Sequence, residues 1–237
     1  MAIQWVFFIF FLALLYFFSR TTIQSLFLII HMIFKNTKLS LYLLAFLFLP
    51  GTTIHEVSHF IMATLLHVRT GKISVWPEIE ANGHIRAGHV EVAKTDPIRL
   101  ILIGVAPMIL GLTAIYFIGE SFFPHINRIY SADFLPLTFN LSTFLGLYLI
   151  FEITGTFFSS KRDLAASIYA APILGIILFM VYMTRLQVSL DKDVYEVILM
   201  IINKINIYLA IGVIIQFILF LLLRGVIFLI YPKKHYS

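Results

Sequence analysis

The segment His55-Glu56-Val57-Ser58-His59 carries the clearest chemistry in the chain. On a helix, residues at i and i+4 stand on one face a turn apart. Both imidazoles can then reach one zinc ion at about 2.0 to 2.1 Å, with the Glu between them beside the attacking water. Zinc lowers the pKa of a water it holds toward about 7, and a carboxylate can take that proton and pass it to the leaving amine. The chain contains no cysteine, so thiolate zinc sites, disulfides and cysteine catalysis are excluded and any metal must be held by His, Asp or Glu.

A catalytic zinc takes three protein ligands and keeps a fourth position open. The extended pattern HExxHxxGxxH does not supply the third, because Met62 and Leu65 occupy the Gly and last His places. His67 lies two turns beyond His59, about 12 Å along the axis, and reads as a helix-end residue. His31, His84, His89, His125 and His235 are scattered and read as loop or interfacial histidines. The third ligand is therefore expected to be acidic. Asp163 follows Ser159-Ser160-Lys161-Arg162 at the start of an apolar run, although Ser160-x-x-Asp163 also fits a capping box. Glu152 lies within the preceding apolar run, where it needs some partner. Spacing alone does not choose between them.

Composition says what surrounds these groups. Of 237 residues, 60% are hydrophobic and 12% charged, and the mean hydropathy is +0.97; a soluble domain carries roughly 25% charged residues. With 24 Phe and 11 Tyr, too little polar surface exists to wrap a soluble core, so lipid must cover much of the outside. Apolar runs near 2–18, 21–34, 39–67, 98–119, 137–158, 164–184 and 206–231 predict an all-α polytopic membrane protein of about six to seven membrane helices. The first run lacks a basic start and a small-residue cleavage site, and reads as a retained helix. Pro50-Gly51 breaks the third run just before the His-Glu-His motif, and such a break at membrane depth faces protein or water. Two His and a Glu in an apolar helix are costly unless paired or ligated, which makes them functional candidates by position as well as by type.

Between Gly71 and Ala93 the pattern changes. Ile73, Val75 and Ile79 alternate on one side of Asn82-Gly83, and Ile85, Val90 and Val92 on the other, which predicts a β-hairpin with a two-residue turn. Pro77 removes a ladder donor and Gly88 is placed for a bulge, so at least one strand should be an edge. That edge either pairs with an extended substrate or serves as a structural cover. The chain divides into N-terminal membrane helices at 1–38, a metal-site core at 39–184 with the hairpin at 71–93, and a C-terminal membrane region at 185–237. It shows no internal repeat. The formal charge of +5 comes from basic residues placed singly or in pairs between apolar runs, which fits membrane topology and not a nucleic-acid partner.

Through PGTTIHEVSHFIMATLLHV, the hairpin after it, GVAPMILG at 104–111 and the late Asp163, the sequence resembles the site-2 protease family of intramembrane zinc metalloproteases. The order of these parts matches from about residue 39 to 184. The resemblance implies His55, His59 and Asp163 as zinc ligands, Glu56 as the catalytic base and membrane-protein substrates. It also implies an active site toward the cytoplasmic side of the bilayer. The family's late Asn-x-x-Pro and Asp-Gly read here as GTFFSSKRDL, with Gly155, Phe158 and Leu164 at the departing positions. If the hairpin is cytoplasmic, Arg20, Arg69, Lys72, Arg86, Lys94, Arg99, Lys161, Arg162, Lys233 and Lys234 fall on that side. Lys35, Lys38, Arg128, Arg185, Lys192 and Lys204 fall opposite, a bias in the positive-inside sense.

Three other functions share some of these features. A different membrane-embedded peptidase would use Glu152 as third ligand. A catalytically silent metal-binding chaperone would keep the histidines without needing Glu56. A transporter would use polar groups at membrane depth but would not require Glu between two His at helical spacing.

Overall fold

The computed structural model describes residues 2–79, 85–86, 88–124, 140–158 and 191–230, with individual helical positions between 165 and 183. Six helices, α1 (Ala2–Phe34), α2 (Thr37–Leu47), α3 (Leu49–Leu65), α4 (Pro97–Phe122), α5 (Leu141–Thr156) and α6 (Lys192–Ile230), are described whole. Strands β1 (Thr70–Ser74), β2 (Glu78–Ile79), β3 (Ile85–Arg86) and β4 (His89–Val92) lie between α3 and α4. Among the described residues α1, α4 and α6 are long and apolar enough to cross a bilayer, and the bent α2–α3 pair qualifies as a fourth span. The 16-residue α5 is shorter.

Two expectations change at the ends of the chain. The runs at 2–18 and 21–34 are one helix, because the polar residues between them find partners without leaving it. Arg20 donates to the Tyr16 hydroxyl at 2.8 Å, Thr21 bonds back to the Phe17 carbonyl, and Thr22 reaches the Gln216 carbonyl of α6 at 3.3 Å. The polar stretch expected at 185–196 already turns helical at Lys192. Lys204, counted among the charges on the side opposite the hairpin, is buried within α6 and pairs with Glu120 of α4, whose other oxygen accepts from Tyr208 at 2.7 Å. Neither Arg20 nor Lys204 therefore marks a loop.

Helix α1 lies along α6, while α3, α4 and α5 pack on one another. Leu15, Ile115, Ile150, Ile153, Tyr208 and Leu209 form the centre of the core and join both groups. Many other large apolar side chains of α1, α4 and α6 point outward, as lipid-facing surfaces do.

The break that aims α3 sits at Phe48, just ahead of the Pro50-Gly51 pair expected to cause it. Pro50 falls in the first turn of α3, where its missing N–H is not needed. Helices α2 and α3 meet there at 77°. Helix α5 holds the corner: the Tyr148 hydroxyl donates to the Leu47 carbonyl at 2.8 Å, and the Phe151 ring packs on Phe48 with centroids 5.4 Å apart. Gly51 approaches α5 so closely that a Cβ would stand 2.5 Å from the Glu152 carbonyl oxygen. Any side chain at 51 must push the motif helix away from its support.

Strands β1 and β4 pair antiparallel, with Ile73 opposite Val90 and Ser74 opposite His89, and β2 and β3 continue the pairing with Glu78 opposite Arg86. The alternation thus yields the hairpin it predicts. One register irregularity falls between Thr70 and Ile73 of β1. A second falls where the two sheets meet, since Ser74 pairs with His89 but Glu78 with Arg86, with Pro77 on one side of it and Gly88 on the other. Asn82-Gly83 lies outside the described residues. Among the described residues both sheets have two strands, so each strand has an edge unpaired there. Asp96 then caps α4 by accepting from the Arg99 N–H at 3.0 Å, which holds its carboxyl below the ordinary carboxylate range.

Candidate metal centre

His55 and His59 occupy successive turns of α3 as their spacing requires. Their Nε2 atoms are 3.2 Å apart and their rings stand nearly perpendicular at 84°. Two nitrogens that each lie about 2.0 to 2.1 Å from one tetrahedral zinc must be about 3.3 Å apart. The imidazoles are therefore already at the separation one such ion demands. The Nδ1 of His59 lies 2.8 Å from the backbone carbonyl of Ile103 in α4. A carbonyl only accepts, so Nδ1 carries the proton of the neutral ring and Nε2 presents its lone pair. A histidine that ligates metal is oriented in this way.

Glu56 is buried on the same helix, and its surroundings bear on Gly88. A Cβ on Gly88 would lie 3.0 Å from Glu56 Oε1, 3.1 Å from Thr52 Cγ2 and 3.2 Å from the Ser74 carbonyl oxygen. The backbone just before β4 thus stands close over the motif carboxylate, where a side chain would be a tight fit. Gly88→Val should displace either the hairpin or the carboxylate. Turnover is expected to fall about tenfold or more with zinc content unchanged, since small misplacements of catalytic groups are costly. Unaltered turnover would show that the hairpin yields freely there.

The acidic candidates part company. Glu152 is fully buried on α5, near the start of α3, and neither carboxylate oxygen has a hydrogen-bond partner among the described residues. Yet no group of three or more His, Asp or Glu able to hold a metal occurs among the described residues, so Glu152 does not join His55 and His59 in such a set. Asp163 lies outside the described residues. His67 takes a left-handed backbone (φ 55°) just past α3, and the Val68 N–H bonds back to the Ala63 carbonyl, the helix-end role its distance from His59 implies. His31 stacks on Phe27 within the last turn of α1.

Two nitrogens at metal spacing, an outer carbonyl that fixes one of them, and a buried carboxylate on the same helix suit a divalent metal that activates water. The sequence announced the three α3 residues by type and spacing. It did not announce Ile103, whose part is played by a backbone atom, or Gly88, whose part is the absence of a side chain. Comparison of the chain with protein-family models, with curated proteins and with solved structures gives no significant match.

Proposed function

We propose that this protein is a polytopic, membrane-embedded zinc metalloendopeptidase of the site-2 protease type, hydrolysing peptide bonds of membrane-protein substrates within or beside the bilayer. The observation that carries this reading is the 3.2 Å approach of the His55 and His59 Nε2 atoms, with Glu56 buried on the same helix, at the bent end of a membrane span. Three polar side chains at such depth are costly unless they serve a site. When bound, zinc supplies a Lewis acid that acidifies water and polarises the scissile carbonyl. Glu56 takes the proton of the attacking water and returns it to the leaving amine. His59 is held in its working tautomer from outside, and Asp163, as the resemblance implies, completes the ligand set. The full chain has six to seven membrane helices, with the site toward the cytoplasmic face.

A substrate helix enters with its amides already bonded to one another, so it must unwind locally before its carbonyl is open to attack. The open edges of the hairpin offer the unwound strand new backbone partners above Glu56. The reading is tested by zinc content and by cleavage of a helical membrane peptide in detergent. About one zinc per chain is expected in wild type and in Glu152→Ala, and little in Asp163→Ala. A zinc-free wild type refutes the reading. Loss of zinc in Glu152→Ala alone transfers the third-ligand role to Glu152.

A further inference from the structure

Helix α4 contains a proline in its interior, Pro107, and it is buried. An interior proline destabilises a helix because it lacks an N–H and crowds the carbonyl four residues earlier. Four residues before Pro107 stands Ile103. In a regular helix the N–H of residue 107 would occupy the Ile103 carbonyl oxygen. Here that oxygen lies 2.8 Å from His59 Nδ1.

We infer that Pro107 is a positioning residue for the metal centre: by withholding its N–H it leaves the Ile103 carbonyl open to His59, which fixes the proton on Nδ1 and turns Nε2 toward His55. The inference rests on the metallopeptidase reading for its purpose, but the contact itself does not depend on a metal. Three features converge on it. The carbonyl that receives His59 is the one a proline at 107 deprives of its helical donor. The Ile103 side chain is buried against Ala63 and Val68 at the end of α3, so the two helices meet at that level. The ring so oriented is the one whose other nitrogen meets His55 at ligand spacing. A proline present only to bend α4 could stand at another turn.

Two substitutions separate the missing N–H from the shape of the proline ring. Pro107→Ala and Pro107→Val both restore the N–H, one with less bulk and one with slightly more. In each, the restored N–H competes with His59 for the Ile103 carbonyl. In metal-free protein, ¹⁵N spectra of the imidazoles, with His59 identified by its loss in His59→Gln, should show one Nδ1–H tautomer in wild type. Both variants should show a mixture of tautomers. Zinc dissociation constants should rise about ten- to a hundredfold in both, the usual cost of losing an outer partner of a ligating histidine. Thermal stability of the metal-free variants should not fall, because the helix regains a bond. An unchanged His59 tautomer in both variants overturns the inference, as does weakened zinc binding in Ala but not Val, which would make bulk the cause. If wild type binds no zinc, the metallopeptidase reading fails while the tautomer measurement still decides the role of Pro107.

Discussion

Glu56→Gln is expected to abolish proteolysis, lowering turnover by about a hundred- to ten-thousandfold, while zinc content and the helical fold remain those of wild type. The amide of Gln matches the carboxylate in size and can fill the same buried space on α3. It cannot accept the proton of the attacking water, and the size of the loss is that of general acid–base assistance. Gln also leaves the contact with Gly88 nearly isosteric, so the hairpin has no reason to move. Helix-breaking residues near the scissile bond should speed cleavage by wild type, because unwinding precedes attack, and should rescue nothing in the variant. The decisive measurement is a time course on a membrane peptide with zinc assayed in both proteins. Near-wild-type cleavage would remove Glu56 from the mechanism, and loss of zinc together with activity would make it a structural residue.

What the sequence disclosed about this site follows from where its information resides. His55, Glu56 and His59 were legible because helical periodicity converts a spacing of four into shared orientation, and α3 is a regular helix there. The hairpin was legible because period-two alternation has no helical reading. The closeness of Gly88 to Glu56 was not legible, because no local pattern reports a distant carboxylate. The division of α1 into two runs failed for a related cause: Ser19 and Arg20 read as an interruption when the partner of Arg20, Tyr16, is not yet placed. Lys204 likewise read as a charge at the membrane surface until Glu120 was found opposite it. In each case a polar residue in an apolar context was noticed correctly, and its partner decided whether it broke an element or joined two.

His55→Ala and His59→Ala should each abolish zinc binding, and they should do so without unfolding the protein. Removing either imidazole leaves a single nitrogen on α3, and one ligand with a distant carboxylate is too few for a site that needs three. The structural consequence differs from that of most buried substitutions. A polar ring at membrane depth is costly when no metal repays its desolvation, so His55→Ala should leave the metal-free helix about as stable as wild type. Zinc, in contrast, should raise the melting temperature of wild type alone, because a ligand at about a thousand times its dissociation constant stabilises the folded state by about 4 kcal/mol. The two variants should differ in one respect. His59→Ala also vacates the Ile103 carbonyl, leaving a buried acceptor without its donor, whereas His55→Ala does not touch α4. The metal-free His59→Ala protein should therefore melt below metal-free His55→Ala, a difference that Pro107→Ala should erase by returning an N–H to the carbonyl. Melting curves of wild type, the two single variants and His59→Ala/Pro107→Ala, each with and without zinc, measure both effects together. A zinc-dependent rise that survives in either single variant would mean that the metal is held elsewhere than between these two rings.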